Sequence, residues 1–403
     1  MTWTRRLIPY PEERALEHAA YVRGAVPRRI FALLLPVWRV EIRATVTEGQ
    51  PYELIDRYLE RGIAEAGLTT AAELARFFAL DQTLVDRALR FLAAIGHLTD
   101  SGDRLGLTPL GEQSVRDKVR YEVIREDRRT LYFDGFGSRP LTRPYYDSRT
   151  VTMLTAAELG QALARDAGPR FIQLVSTYGF RPEALAELAG NRDRDRFNLP
   201  ERIDRPEQIG TEQVYLPLYV LHATECSGRA RHLAYTQASA EEDADLTALC
   251  EQTPEIAGVL DTEERSARSR LDGTRIADWL RSRGIADARP ARLAGGTWRV
   301  TLPAASFGTD GPMSISKLGS FVVLGSEFFQ VWSADERVRQ RALLERIDAY
   351  LGSRTRPTQA DVEPRLAQIA TQLDLGALDL PALRTLAQRA DRKSLAAQLA
   401  RLP

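Results

Sequence analysis

Apolar and polar residues alternate along residues 37–46, near the start of the chain. The apolar positions on one face are Trp38, Val40, Ile42, Ala44 and Val46. A period of two is typical of a strand with one buried face. The pattern predicts one strand in an N-terminal segment of residues 1–50, and Gly49 and Pro51 mark its end.

The apolar period changes to that of a helix after Pro51. The first helix, over 52–66, has apolar residues at core spacing, namely Leu54, Ile55, Tyr58, Leu59 and Ile63. The sequence TAAE at 70–73 is a capping box that begins a second helix over 71–78. Asp81 can cap a third helix, which Gly96 ends.

Residues 96–111 read GHLTDSGDRLGLTPLG, which predicts a short hairpin and then a sharp corner. Two short strands flank the turn DSGD at 100–103. Thr108 and Pro109 favour the start of another helix, so a closing helix is predicted to about Arg120. One core is predicted to hold Leu89, Leu92, Ile95, Leu98 and Leu107.

Three helices, a two-stranded wing and a closing helix form the order of a winged helix. Residues 51–120 resemble the winged helices of bacterial MarR-like and PadR-like regulators, and the stretch 96–111 carries the resemblance. Such domains commonly place the third helix in the major groove of DNA and the wing on the adjacent backbone or minor groove. The resemblance implies the nucleic-acid-binding residues Gln82, Thr83, Arg87, Arg90, Arg104 and His97.

The charge of this region works against DNA binding. Residues 51–120 contain nine Arg and Lys and eleven Asp and Glu, while the affinity of proteins for DNA depends largely on phosphate neutralisation. The module must therefore gather its arginines on one face or use others. The N-terminal segment has arginines to lend, namely Arg23, Arg28, Arg29, Arg39 and Arg43. The alternative is a winged helix that docks a partner protein.

The remaining chain predicts a mixed α/β body over 121–334, with a boundary marked by the polar stretch 191–212, and a helical tail over 335–403. The body has a strand at 129–133 and helices at 156–166, 183–188, 241–251 and 275–283. Its hairpins pair 213–224 with 229–236, 289–294 with 297–302 and 317–324 with 327–332. In the tail, Ser333 is expected to cap a helix over 335–351. The fold class is α+β, with a winged helix near the N-terminus.

Two places in the body could carry ligand chemistry. If Gly228 is left-handed in a three-residue loop, His222 lies opposite His232 and the pair could be half of a metal site. A core or rim position for these histidines is the favoured alternative. The glycine loop DGFG at 134–137, flanked by arginines, could hold a phosphate, but an ordinary glycine turn is favoured.

Several classes of protein are disfavoured by what the 403 residues lack. They contain no P-loop, nucleophile elbow, zinc-protease or kinase signature. Two cysteines, Cys226 and Cys250, give no disulfide framework. No apolar run reaches membrane-spanning length, and the N-terminus lacks the apolar core of a signal peptide. We expect a cytoplasmic protein with no cofactor and no membrane partner.

The function predicted from these observations is non-catalytic binding of double-stranded DNA. The large body favours a subunit of a nucleoprotein complex, for which antiphage defence is one setting, over a stand-alone transcriptional regulator. The tail is expected to contact the body, another chain or a second copy. The alternatives are an interaction scaffold whose winged helix docks a partner, a transcriptional regulator, and an enzyme with an acidic site that no motif reveals.

Overall fold

The computed structural model describes residues 6–99, 104–165, 169–266, 271–285, 288–308 and 311–402. Its helices are α1 (Glu12–Tyr21), α2 (Leu54–Ala66), α3 (Ala71–Phe78), α4 (Gln82–Ala94), α5 (Pro109–Asp117), α6 (Ala156–Arg165), α7 (Glu183–Ala189), α8 (Ala244–Gln252), α9 (Pro254–Ser266), α10 (Gly273–Arg281), α11 (Glu336–Gly352), α12 (Gln359–Gln372), α13 (Leu380–Arg389) and α14 (Lys393–Ala400). Its strands are β1 (Val26–Gln50), β2 (Arg120–Asp134), β3 (Leu154–Thr155), β4 (Phe171–Gln173), β5 (Arg202–Thr224), β6 (Ala230–Thr236), β7 (Arg289–Arg292), β8 (Trp298–Thr301), β9 (Phe321–Leu324) and β10 (Glu327–Trp332).

The chain divides into two compact units, and both are built from more than one segment. The first unit contains Met1–Leu35, Thr152–Val175 and Tyr215–Pro403. The second unit contains Pro36–Val151 and Ser176–Val214. Strands β1 and β5 contribute residues to both units. The chain mixes helices with sheets that are mainly antiparallel, as the α+β prediction requires.

The second unit has a sheet in which β2, β1 and β5 are neighbours. Strands β1 and β2 pair antiparallel from Val37 opposite Asp134 to Gln50 opposite Arg120, with an irregularity between Ala44 and Val46. The inner apolar residues of this sheet pack against α7 in a core that includes Val40, Ile42, Phe133, Leu185 and Leu188. The alternating pattern over 37–46 is therefore confirmed as a half-buried strand, because its apolar face covers this core.

The three longest strands begin before their predicted starts. Strand β5 begins at Arg202 rather than at 213. Strand β1 begins at Val26, eleven residues before the predicted start at 37. The sequence missed its first half because residues 30–35 are all buried, so no polar position alternates with the apolar ones. Strand β2 begins at Arg120 rather than at 129. The closing helix α5 ends at Asp117 and not near Arg120, because Lys118 takes a left-handed conformation with φ of 58°.

Helices α2 to α5 and the residues between them form a helical module with its own core. An antiparallel bridge joins Leu98 to Leu107 between α4 and α5, and the predicted turn at 100–103 lies outside the described residues. The predicted core is confirmed in one cluster that contains Leu89, Leu92, Ile95, Leu98 and Leu107, together with Leu59, Leu74 and Val85. Helices α3, α4 and α5 begin where their capping residues predicted, whereas α2 begins at Leu54 rather than at 52.

Local hydrogen bonds explain these helix starts. Thr70 accepts from the backbone N–H of Glu73, whose side chain accepts from the N–H of Thr70 in return. Asp81 accepts from the N–H of Thr83 at 2.8 Å, and Thr108 accepts from that of Gly111 at 3.2 Å. Each cap satisfies N–H groups that a helix start leaves without an intrahelical partner.

Position 111 lies at the corner between the bridge and α5, where there is no space for a side chain. A Cβ atom there would lie 2.5 Å from the carbonyl oxygen of His97. We expect Gly111→Ala to lower the free energy of unfolding by about 1–3 kcal/mol, the usual cost of overpacking, as measured by urea denaturation. The matched control is Gly160→Ala in α6, where no atom lies within 4 Å of the added carbon. Equal losses in the two variants would contradict this explanation of the corner.

The first unit contains two groups of strands. In one group, β4 pairs parallel with β1, and β6 pairs antiparallel with β5 in the predicted hairpin. The other group is a sheet in the order β7-β8-β10-β9, in which the predicted hairpins β7–β8 and β9–β10 are present. Strand β9 begins at Phe321 rather than at 317, because Ile315–Lys317 form a 3₁₀ turn. Helices α1 and α9 were not predicted.

The C-terminal helices α11 to α14 belong to the core of the first unit. Their buried apolar residues, including Leu343, Leu366, Leu383 and Leu399, share one cluster with Val300 and Val331 of the sheet. The tail was expected to contact the body, another chain or a second copy, and the structure shows contact with the body. Ser333 does not cap α11, contrary to prediction. Asp335 does so by accepting from the N–H of Arg337 at 2.9 Å, because it lies directly before the first helical residue.

Candidate nucleic-acid interface on helix α4

Helix α4 presents one apolar and one polar face. Val85, Leu89 and Leu92 are buried in the core of the helical module. Their period of three and four residues leaves the remaining positions outside. The predicted DNA-contacting residues of this helix, Gln82, Thr83, Arg87 and Arg90, are all exposed. The structure thus brings these four side chains onto the outer surface of one helix.

The two arginines of α4 are not held by carboxylates. Among the described residues, no ion pair includes Arg87 or Arg90. The neighbouring Asp86 instead accepts a hydrogen bond from the side-chain amide of Gln82 at 3.2 Å. Asp86 therefore forms no ion pair with Arg87 or Arg90. Two cations three residues apart lie on the same side of a helix and can approach one ligand together.

Arg104 belongs to the predicted wing, the second element expected to contact DNA. It is exposed and precedes Leu107, the second partner of the antiparallel bridge. Within the described ranges, it too belongs to no ion pair. The adjoining residues 100–103, which were predicted to form the turn of the wing, lie outside the described residues.

His97 was predicted on the wing surface, and this prediction is wrong. Its side chain is completely buried. The imidazole Nδ1 lies 2.5 Å from Glu60 Oε1, and Nε2 lies 2.5 Å from the carbonyl oxygen of Tyr121. Since both ring nitrogens face acceptors, the arrangement suits the doubly protonated imidazolium. His97 therefore serves the interior of the module and cannot contact DNA.

The buried pair of His97 and Glu60 is the strongest electrostatic feature of the module. Burial opposes the charged imidazolium, but hydrogen bonds to Glu60 and to the Tyr121 carbonyl outweigh it and raise the pKa of His97 above its ordinary value. The Tyr52 hydroxyl donates to the other oxygen of Glu60. These contacts tie α2 to the residues on either side of α5, so they fix the position of the corner at 108–111.

The N-terminal arginines that might have helped to neutralise phosphates are engaged elsewhere. Their partners are Glu242 for Arg23, the Gly295 carbonyl for Arg28, Glu264 and Glu327 for Arg29, Glu212 for Arg39, and Glu207 for Arg43. Carboxylates neutralise four of these five cations. The expectation that the segment lends its arginines to the module is therefore not supported, and a DNA contact must rest on the arginines of the module itself.

Sequence reasoning missed an apolar part of the module surface. The exposed large apolar side chains there are Leu54, Tyr58, Phe77, Leu84 and Phe91. Leu54 and Tyr58 were assigned to the core from their helical spacing, but they are 67% and 45% exposed. The apolar stripe of α2 is wider than the surface that α4 and α5 cover, and spacing alone does not show where that cover ends.

The histidine pair in the first unit has the predicted register but not the surroundings of a metal site. His222 lies opposite His232 in the β5–β6 hairpin, with ring centroids 5.2 Å apart. Nδ1 of His222 is 3.2 Å from a Glu264 oxygen, without the alignment of a hydrogen bond. Burial, followed by the nearby His222, lowers the pKa of His232. No group of three or more potential metal ligands occurs in the described part of the chain.

The backbone N–H groups of the glycine loop at 134–137 donate hydrogen bonds to the aspartate of the same loop. The carboxylate of Asp134 accepts from the backbone N–H groups of Phe136, Gly137 and Arg139 at 2.6–2.8 Å. These are the donors that a phosphate would need. The favoured prediction of an ordinary glycine turn is supported, because the side chain satisfies the loop internally.

Comparison of the chain with protein-family models, with curated proteins and with solved structures gave no match. Within the described residues, no helix combines the length and the apolar composition needed to cross a membrane.

Proposed function

We propose that the chain binds double-stranded DNA through the outer face of α4, without catalysing a reaction. The observation that carries the proposal is the pair Arg87 and Arg90, exposed on the third helix of the module and free of ion pairs among the described residues. An arginine can donate two parallel hydrogen bonds to a guanine edge or to a phosphate. The order of α2, α3, α4, the Leu98–Leu107 bridge and α5 supports a winged-helix assignment for the module.

In this proposal, the protein acts as the DNA-engaging subunit of a larger complex rather than as a small regulator. The module is a minor part of the chain, and the first unit has its own cores and its own sheet. With eleven acidic residues against nine basic ones, the module has too little net positive charge for tight non-specific binding by itself. A complex that supplies further contacts would compensate for this weakness through effective concentration.

The double variant Arg87→Ala with Arg90→Ala tests the proposal. We expect it to bind a labelled duplex roughly 30-fold more weakly or worse, because each lost base contact costs about 1–3 kcal/mol. Fluorescence anisotropy measures the affinity, and thermal unfolding should be nearly unchanged because both side chains are exposed.

The charge-matched control removes two arginines of the module that lie on other helices. Arg61 on α2 is already paired with Glu65, and Arg116 lies on α5. The variant Arg61→Ala with Arg116→Ala should retain most of the affinity. Equal weakening in both double variants would show that net charge and not the face of α4 governs binding.

The exposed apolar residues favour a second candidate function, the docking of a partner protein by the same module. Leu54 and Phe77 are the most exposed of them, at 67% and 63%. Contiguous apolar surface on a folded domain commonly marks an interaction site. This function predicts no measurable binding of duplex DNA by the wild-type chain and no difference between wild type and the α4 double variant.

A further inference from the structure

A large cleft lies within the first unit, which does not contain the module that the proposed function uses. It has a volume of about 890 Å³ and is bordered by α1, α11, α12 and the 3₁₀ turn Ile315–Lys317. Two hydrogen bonds connect these walls. Gln372 donates to Glu17 at 3.1 Å, and the Tyr350 hydroxyl donates to the carbonyl of Asp361 at 3.2 Å. The volume is that of a site for a small molecule.

Three arginines from three different segments line the cleft. Arg14 comes from α1, Arg354 follows α11, and Arg365 belongs to α12. None of them takes part in an ion pair with another described residue. Arg14 lies over the ring of Tyr10 and Arg354 over that of Tyr350, while Arg365 donates to Gln368 at 2.7 Å. Contacts with rings and an amide orient the guanidinium groups without neutralising them.

The carboxylates of the cleft have other partners. Glu13 pairs with Lys317 at 2.7 Å, and Glu17 accepts from Gln372. Asp361 accepts from the N–H and the hydroxyl of Thr358 and thereby caps α12. The fourth carboxylate, Glu241, faces His18, whose pKa it raises against the larger lowering by burial. The cleft thus holds as many acids as bases. Glu13, Glu17 and Asp361 have ion-pair or hydrogen-bond partners other than the three arginines. Glu17 and Asp361 also attract Arg365 and Arg354, but no ion pair among the described residues holds the three arginines.

Two of the cleft arginines, Arg14 and Arg365, also repel each other. Burial lowers the pKa of Arg365, Glu17 raises it, and Arg14 lowers it again. Arg346, behind the same wall, has its pKa lowered by burial, raised by Glu17 and lowered by Arg365. A guanidinium stays charged at any physiological pH, so this repulsion persists in the folded protein. An anion with two or more charges that lies between these groups relieves it.

We propose that this cleft binds a small phosphorylated ligand. Arginines that line one cleft from three segments suit a tetrahedral oxyanion with several oxygens, because each planar fork can donate to a separate pair of oxygens. A single carboxylate offers only two oxygens and one charge. The site is formed within the first unit, so this inference does not rest on DNA binding by α4.

The test uses the full chain and inorganic pyrophosphate as the probe, with titration calorimetry at constant ionic strength in sodium chloride. The variant Arg14→Gln with Arg354→Gln removes two exposed guanidinium groups, so its melting temperature without pyrophosphate should equal that of the wild type. We expect it to bind pyrophosphate at least about tenfold more weakly, because hydrogen bonds to charged groups are among the strongest in proteins. Arg337→Gln, an exposed position on α11 outside the cleft, should bind like the wild type.

Two results would overturn the proposal. One is a wild-type chain that shows no binding of pyrophosphate beyond the response to chloride. The other is equal affinity of the wild type and the Arg14 and Arg354 double variant. Adenosine diphosphate and adenosine identify the source of the phosphate. Tighter binding of adenosine diphosphate than of pyrophosphate supports a nucleotide ligand. Equal binding of these two supports recognition of the phosphates alone. Adenosine that binds as tightly as adenosine diphosphate contradicts a phosphate site.

Discussion

Removal of residues 357–403 is expected to abolish the cooperative unfolding of the first unit. The apolar residues of this segment that are buried in its core are Val362, Leu366, Ile369, Leu373, Leu380, Leu383, Leu395 and Leu399. Truncating one buried leucine to alanine typically costs about 2–5 kcal/mol, and the net stability of a whole domain is about 5–15 kcal/mol. The loss of eight such side chains exceeds what the remaining core can tolerate.

Thermal unfolding and hydrogen exchange of the truncated chain measure this effect. A finer test is Leu366→Ala, for which we expect a loss of about 2–5 kcal/mol, with the exposed Glu363→Ala on the same helix as the control. A truncated chain that melts at the temperature of the full chain, with unchanged exchange in β8 and β10, would show that the segment is dispensable for this core.

The variant His97→Ala is expected to destabilise the helical module by about 3–5 kcal/mol, the usual cost of breaking a buried ion pair. Glu60 and His97 are both completely buried, so the substitution leaves the Glu60 carboxylate without its imidazole partner. The double variant Glu60→Gln with His97→Ala should lose less than the sum of the single losses, because it leaves no buried charge unpaired. Urea denaturation of the three variants gives the coupling energy, and strictly additive losses would contradict the pair.

The same pair predicts how the stability of the module depends on pH. The pKa of His97 is raised on folding, so its stabilising contribution is complete below the ordinary value of 6.5 and is lost as the pH rises through the folded-state pKa. The wild type should therefore lose more stability than His97→Ala as the pH rises from the ordinary value through the folded-state pKa of His97. The effect of His232 on stability should depend on pH in the opposite direction. Burial lowers its pKa, so protonation of His232 as the pH falls reduces the stability of the folded chain. Parallel pH profiles for wild type and His97→Ala would contradict a charged His97.

The helices of the module could be predicted because their signals are local. The capping box of Thr70 and Glu73 and the cap of Asp81 involve residues two or three positions apart, which can be read directly from the sequence. The burial of His97 could not be predicted in this way. Its partners Glu60 and Tyr121 are 37 and 24 residues distant in the chain, and only the packing of α2, α5 and β2 brings them together.

The same limit applies to the candidate sites. The exposed face of α4 follows from its helical period, so the sequence alone predicts the outward position of Arg87 and Arg90. The arginine cleft combines residues 14, 354 and 365, which no sequence spacing connects. The first half of β1 was missed for a different physical reason. A strand with both faces buried shows no alternation, and its apolar run then resembles any other buried segment.

Contact between α4 and DNA is tested most directly by the salt dependence of duplex binding. The observed affinity of the wild type and of the Arg87 and Arg90 double alanine variant is measured at several salt concentrations. The logarithm of affinity falls with the logarithm of salt concentration by about 0.9 for each neutralised phosphate. If both arginines contact phosphates, the slope of the variant should be shallower by about two units, and its affinity should be lower at every concentration tested.

If the arginines contact guanine edges instead, the variant is weaker by a similar factor at each salt concentration. Either result supports the account, provided that the Arg61 and Arg116 variant follows the wild type. Superimposed lines for the wild type and the α4 variant, or a wild-type chain that binds no duplex at low salt, would contradict it.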